Sequence, residues 1–324
     1  MADARALWTV APGRAEIRHA AAADPAPGWA RVRALVSGIS RGTESLVFHG
    51  KVPDSERQRM KAPFQEGEFP FPVKYGYAMV GAIEAGPRAR IGETVLCLHP
   101  HQSCFTVRED ALLPVPPTVP PERAVLAPQL ETALNAIWDA RPGPGDRVAV
   151  IGAGVIGCLT AHLAASLPAT EVTLIDRDPS RRAVAAALGL RFARPEDTLP
   201  QGCDLVFHAS GSAAGLDLAL SLAAFEAEII ELSWYGSDTV PVSLGGAFHS
   251  QRLTIRASQV GHVAPSHRAR WDHKKRLALA LSLAADARLD ALLGEQIPFD
   301  SLPERLPAVL AKPGALCTLI RYPD

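Results

Sequence analysis

The run RVAVIGAGVIG sets Gly152, Gly154 and Gly157 at a spacing that suits a phosphate group. A strand-like apolar run precedes them and a helix-like run follows, which is the context such a loop requires. The first glycine allows a tight turn, the second lets backbone approach a pyrophosphate, and the third lets helix and strand pack closely. The helix opening at Val155 and Ile156 then offers its free N–H groups to the phosphates. The next strand-like run ends at Asp176, nineteen residues beyond Gly157. A carboxylate there accepts hydrogen bonds from an adenosine ribose and repels a 2′-phosphate. Together these residues read as a dinucleotide site for NAD. Arg177, Arg181 and Arg182 keep NADP open, because arginine accommodates a 2′-phosphate. Ser210-Gly211 and Ser258-Gln259-Val260 end later strand patterns. Ligands sit at the carboxyl edge of such sheets, which puts both pairs near a nicotinamide. The plainer alternatives are a glycine turn that binds nothing and ordinary loop chemistry.

A second candidate is Tyr77 in KYGYAMVG, where alternating residues suggest a strand starting at the tyrosine. A buried tyrosine needs a partner for its hydroxyl, so Tyr77 is either a satisfied core residue or a polar group of an active site.

The elements that must position these residues follow from texture. Residues 1 to about 120 read as β-rich, with short runs such as WARVRALVSG, YAMVGAIEAG, ETVLCLHP and CFTVRED punctuated by Gly and Pro. PVPPTVPPE is a stiff connector. Beyond it, ERAVLAPQLETALNAIWDA reads as one helix despite Pro128. Apolar strands then alternate with helices, the pattern of a parallel sheet covered on both faces. A helix over Leu302–Lys312 and a strand in ALCTLIRY close the chain. The charged, aromatic stretch Lys51–Lys74 reads as a loop or a helical excursion.

The chain has 324 residues, enough for two domains. With 48% apolar and 21% charged residues and a net charge of −1, it carries no nucleic-acid footprint. Five scattered cysteines without a CxxC pair argue against a disulfide framework and a four-cysteine zinc lobe. No apolar run reaches the roughly 20 residues of a membrane span. The N-terminus lacks a signal-peptide layout, so a cytoplasmic location is the default expectation.

The order of a β-rich part, a dinucleotide-binding part and a return segment resembles the medium-chain dehydrogenase/reductase superfamily. VSGISRGTE is similar to its first active-site turn, KYGYAMVGAIEAG to its Gly-His-Glu strand, and LAPQLETALNAIWDARPGPGDRVAVIGAGVIG to its central helix and cofactor loop. The resemblance covers most of the chain. It implies an α/β protein: a Rossmann doubly wound parallel sheet over 122–287 plus a GroES-like β-rich catalytic domain over 1–121 and 288–324. It also implies a homodimer or tetramer, and a nicotinamide in the cleft between domains facing Ser40, Thr43 and Tyr77. Among the branches, GISRGTE before a glycine-tyrosine strand is most similar to bacteriochlorophyllide a dehydrogenase, which acts on a hydroxyethyl group with NAD. The Lys51–Lys74 stretch departs from the usual spacing.

Zinc-dependent members hold their metal with a Cys in the first turn, a His in the Gly-His-Glu strand, and a Cys or Glu on the central helix. Here those positions offer Ser40 or Arg41, then Tyr77 with Ala78 beside it, then Ala127. The expectation is a site without zinc, since a catalytic zinc wants three protein ligands. Hydrogen-bond donors must then meet the developing alkoxide and move its proton. Tyr77 is the acid/base candidate, given a pKa lowered from near 10 by Arg41 or Lys74; otherwise it fills the space of the lost histidine. Ser40 and Thr43 either join it or cap the following helical turn. Glu44 orients a neighbour or faces solvent, His49 and Thr132 are candidates for the ribose, and Lys51, Arg57 and Lys61 could meet an acidic substrate. His249 and His262 receive no role. The expected activity is hydride transfer between NAD(H) and a secondary alcohol or ketone of a medium-sized organic molecule. Its rivals are an NADPH-dependent reductase of activated C=C bonds and a non-catalytic dinucleotide binder.

Overall fold

The structure, a computed structural model, describes residues 2–312 and 316–323. Ala315, at the head of the last expected strand, lies outside the described residues. The chain divides into two units: Met1–Pro128 with Leu281–Asp286 and Leu293–Asp324, and Gln129–Ala280 with Ala287–Leu292.

The second unit is built on six parallel strands. Across the sheet they run Arg191–Ala193, Glu171–Ile175, Arg147–Ile151, Cys203–His208, Ala223–Glu231 and Thr254–Ala257. Counted along the chain this is the order 3-2-1-4-5-6 of a doubly wound Rossmann sheet. Val148, Ala149, Val150 and Ile151 are all buried, as a strand covered on both faces requires. Strand order reverses beside Arg147–Ile151, and the glycine loop leaves that strand at its carboxyl end. A buried polar hub braces the unit. Arg276 is 1% exposed and donates to Glu131 at 3.0 Å, to Asn135 at 2.5 Å and to the carbonyls of Val260 and His262. A buried charge is tolerated only with such partners, and here they tie the helix Ala127–Ala140 to the loop after the last strand.

The first unit is β-rich. One sheet runs Leu293–Pro298, Cys317–Arg321, Trp29–Gly38, Met79–Ala85, Thr94–Cys97 and Leu113–Pro114, with Cys104–Arg108 also pairing Trp29–Gly38. A second joins Arg14–Ala22, Ala2–Ala11, Val73–Lys74 and Glu66–Gly67. Val32, Met79, Ile83, Val95, Phe105, Phe299 and Ile320 meet in its core. The return segment is thus an integral part of the sheet.

Three expectations change. The stretch read as one helix is two, Pro121–Ala124 and Ala127–Ala140. Pro128 lacks an N–H and its ring opposes the carbonyl four residues back, so the helix must restart. The short Pro121–Ala124 helix packs on Trp29–Gly38 and Met79–Ala85, so the first unit extends past the expected boundary at 121 to Pro128. The strand expected from Tyr77 begins only at Met79, because Gly76 takes a φ of +119° and turns the chain just before it. Lys51–Lys74 carries one 3₁₀ turn, Asp54–Glu56, and two short strands.

Candidate active site

In the first unit the strand Trp29–Gly38 delivers the chain to Ser40, which starts the helix Arg41–Phe48. Ser40 occupies the N-cap position, yet its side chain makes no capping bond. Instead its Oγ accepts the Tyr77 hydroxyl at 2.5 Å. Its backbone N–H donates to Glu44 Oε1 at 2.7 Å, and Glu44 N–H returns a bond to Ser40 O at 2.9 Å. Serine is therefore held from both sides by its own helix while its hydroxyl is left to Tyr77. Thr43, in the first turn of the same helix, is also placed to hydrogen-bond Tyr77. The three hydroxyls expected to do chemistry are thus brought together.

Burial pushes the Tyr77 pKa up to about 12; the bonds from Ser40 and Thr43 oppose the rise, and the Glu44 charge adds to it. The cation expected to lower it does not act: the Lys74 ammonium is 2% exposed and engaged by Glu66 and by Gln102 at 2.7 Å. Arg41 is exposed and is not among the causes of the shift. Tyr77 is thus a phenol throughout the neutral range, a donor rather than a phenolate base.

Behind this trio lies a buried chain that the sequence did not reveal. Glu44 Oε2 meets His101 Nε2 at 3.0 Å, His101 Nδ1 meets Ser37 Oγ at 2.8 Å, and Ser37 meets the Tyr322 hydroxyl at 2.9 Å. With the carboxylate accepting, Nε2 carries the proton, Nδ1 accepts from Ser37, and Ser37 accepts from Tyr322. Glu44 therefore orients neighbours, one of its two open readings. The signals were faint: the second of two histidines in LHPHQSC and one serine inside a strand. His49 is exposed and bonded to Ser45 O at 2.8 Å within its own helix turn. Arg57 and Lys61 pair with Asp54 and Glu68.

The donor set at the positions marked for zinc does not fit that metal. It consists of the hydroxyl of Ser40 or the guanidinium of Arg41, the hydroxyl of Tyr77, and the methyl of Ala127. Among the described residues, no group of three His, Cys, Asp or Glu side chains is placed to hold a metal ion.

In the second unit the glycine loop does fit a dinucleotide. Gly152 has φ +103°, and a Cβ there would fall 2.7 Å from the backbone of Ala209 and Ser210. A Cβ on Gly157 would fall 1.8 Å from Gly152 O, whereas one on Gly154 would meet nothing within 4 Å. The outer glycines serve packing, and the middle one opens onto the space a pyrophosphate needs. The helix Val155–Ala165 begins there without a side-chain cap. Asp176 Oδ2 accepts the Ala153 N–H at 2.6 Å and Oδ1 accepts the Asp178 N–H at 2.8 Å, so the acid braces the loop it was expected to serve. Arg177 is exposed beside it, and Ser210 and Gly211 stand exposed at the end of the strand next to the loop. Ser258 donates to Asp139 at 2.6 Å and Gln259 closes a turn with the Gly261 N–H at 2.7 Å. Thr132 lies half-buried on the Ala127–Ala140 helix, one residue from Glu131 of the arginine hub.

No family model matches the chain. It is 26% identical to the 5-exo-hydroxycamphor dehydrogenase of Pseudomonas putida, with 98% of each chain covered. It is 27% identical to the 2-desacetyl-2-hydroxyethyl bacteriochlorophyllide A dehydrogenase of Rhodobacter capsulatus over 68% of this chain and 69% of that one. The crystal structure of 2R,3R-butanediol dehydrogenase from Bacillus subtilis shares the fold, with a TM-score of 0.77 at 18% identity, covering 99% of this chain and 100% of that one. These likenesses support the medium-chain dehydrogenase/reductase superfamily as the class to which fold and site point. Within it they support an NAD(P)-dependent oxidoreductase.

Proposed function

We propose that this protein is a zinc-independent, NAD-dependent dehydrogenase that interconverts a secondary alcohol and a ketone on a medium-sized organic substrate. The observation that carries the reading is the Tyr77–Ser40 hydroxyl pair, 2.5 Å apart, at positions that resemble metal-ligand positions. The dinucleotide, when bound, supplies the hydride acceptor or donor. Gly152, Gly154, Val155, Ile156 and Gly157 would hold its pyrophosphate, and Asp176 its adenosine ribose, with Arg177 flanking. Ser210, Gly211, Thr132, Ser258 and Gln259 complete the proposed cofactor set.

The chain's own part is to bind and polarise the substrate oxygen. Tyr77 donates to Ser40, Thr43 adds a hydrogen bond to Tyr77, and the Ser40 proton remains for the substrate. Hydroxyls in series polarise one another, which strengthens the last donor. Developing alkoxide charge is thus met by an ordered donor, the task a metal would otherwise perform. Glu44 keeps Ser40 in place through the backbone amide. The likeness to the Rhodobacter enzyme supports a bulky hydroxyethyl-type substrate as one branch of this reading.

All five cysteines are free and buried, which favours a reducing compartment and so the cytoplasm. Among the described residues, no helix is long and apolar enough to cross a membrane. A homodimer is proposed from the resemblance alone, to be read by light scattering.

Elemental analysis and steady-state kinetics on the purified protein test the core of the proposal. We expect turnover of secondary alcohols with NAD and no stoichiometric zinc. A zinc ion per chain whose removal abolishes turnover would sink the metal-free part. A strong preference for NADPH with an enone over a ketone would replace this reading by that of a C=C reductase. NADH binding without turnover of any carbonyl would leave a non-catalytic binder.

A further inference from the structure

The strand Cys203–His208 is an apolar run that ends on a histidine. His208 is wholly buried, and both of its ring nitrogens are engaged. Nδ1 lies 2.7 Å from Glu231 Oε2, and Nε2 lies 2.6 Å from Ser210 Oγ. Glu231 is the register partner of His208 on the neighbouring parallel strand, so the sheet itself sets acid beside base. The carboxylate also accepts the Ser233 N–H at 2.7 Å and the Tyr235 O–H at 3.1 Å. Burial works to raise the Glu231 pKa, but the His208 and Ser233 bonds outweigh it and hold the carboxyl below its usual range.

An ionised Glu231 fixes the tautomer. His208 Nδ1–H donates to it, so Nε2 carries the lone pair and accepts the Ser210 hydroxyl proton. Ser212 then donates to Ser210 Oγ at 2.9 Å while its own oxygen accepts the Gly215 N–H at 3.1 Å. Gly215 makes room for the pair, since a Cβ there would fall 2.2 Å from Ser210 Oγ and 2.7 Å from His208 Nε2. Ser210 itself is exposed. A hydroxyl bonded to an imidazole that is oriented by a carboxylate is the general pattern of an activated nucleophile.

We propose that Ser210 is a base-activated nucleophile that takes an acyl group from an activated carboxylic ester, with His208 as base and Glu231 as its orienting acid. In the first step a bond forms between Ser210 Oγ and the ester carbonyl carbon, and the serine proton passes to His208 Nε2. The bond from that carbon to the alcohol oxygen breaks, and the departing alcohol takes the proton. Water then attacks the acyl-serine with His208 again as base, releasing the carboxylic acid and restoring Ser210. Neither step is redox and neither consumes a dinucleotide, but Ser210 also stands in the proposed cofactor set, so ester and dinucleotide would compete for this strand end.

The test uses the purified full-length protein without added dinucleotide. It is treated in parallel with p-nitrophenyl acetate and with a fluorophosphonate, and adducts are located by intact mass and peptide mapping. We expect one covalent addition on the peptide bearing Ser210, absent from Ser210→Ala. Labelling in His208→Gln should be at least about tenfold slower. Glu231→Gln serves as the second variant should His208→Gln not fold, with the same slowing expected. An adduct on another residue, a rate unchanged in the folded base or acid variant, or no addition above the Ser210→Ala background would overturn the proposal.

Discussion

The glycine loop and the Tyr77–Ser40 site are built on opposite principles. The loop in the second unit is made of backbone, and its shape depends on three missing side chains. The hydroxyl site in the first unit is made of side chains drawn from residues 37, 40, 43, 44, 77, 101 and 322. A backbone site tolerates many neighbours but no added atom. A side-chain site tolerates repacking but needs each donor aimed by another. The two should fail differently.

The largest effect is expected at Gly157. Its Cβ would fall 1.8 Å from a backbone oxygen, which no rotamer change relieves. Gly157→Val should weaken NADH binding in a fluorescence titration on the order of 100-fold, about 2.7 kcal/mol, and lower the Tm. Gly154→Ala meets nothing within 4 Å, so it should keep the Tm while still weakening NADH. Equal damage to Tm from both would break the distinction.

Next is Tyr77→Phe, which keeps the ring and removes the donor. Turnover should fall by about 10², with KM little changed and stability altered by about 1 kcal/mol. Because its pKa stands up to about 12, wild-type kcat should show no phenolate inflection below about pH 10. Unchanged turnover in Tyr77→Phe would leave the residue a filler.

One buried imidazole of the first unit gives a pH signature. His99 is stacked on Phe105 at 3.9 Å, and burial pushes its pKa down to about 3. The neutral form is favoured in the folded state, so the unfolded chain binds the extra proton between pH 6.5 and 3. That share of stability is complete above pH 6.5 and is lost as pH falls toward 3, at up to about 1.4 kcal/mol per pH unit. Denaturant melts of wild type and His99→Gln across this window should differ in slope.

Glu44→Gln should then cost about 1–3 kcal/mol in stability and about tenfold in kcat, about 1.4 kcal/mol, because both Ser40 and His101 lose a charged partner. The smallest effect is expected from Asp176→Ser, a shift toward NADP in relative kcat/KM of about tenfold. Asp176 also braces Ala153 at 2.6 Å, so a matching loss of NAD affinity would show that its structural share is the greater.

The same contrast explains what was legible in the sequence. The Rossmann sheet and its loop announce themselves through local spacing: apolar strands, three glycines, and an acid one strand later. Tyr77 stood out locally as either a core residue or an active-site group, Ser40 and Thr43 were reachable only through the resemblance, and the mutual bonding of the three not at all. Glu44 stayed undecided because its two partners are an amide four residues back and a histidine 57 residues on. The Tyr77 pKa runs against its sequence expectation because the nearest cation in sequence, Lys74, turns away to Glu66 and Gln102. His208 sat unnoticed in a strand pattern, although a histidine closing an apolar run is a signal in its own right. The break before Pro128 was a local cue outweighed by the helical periodicity around it.

The buried cysteines have a practical consequence. Burial pushes the thiols of Cys97, Cys104, Cys158 and Cys317 up to about 12 and that of Cys203 up to about 11. At neutral pH they are protonated and shielded from electrophiles. A cysteine placed at exposed Ser55 in one unit, or at exposed Ser221 in the other, would react with a maleimide against a silent background. The wild-type chain is therefore already prepared for site-selective fluorophores or spin labels, with no native thiol to remove first.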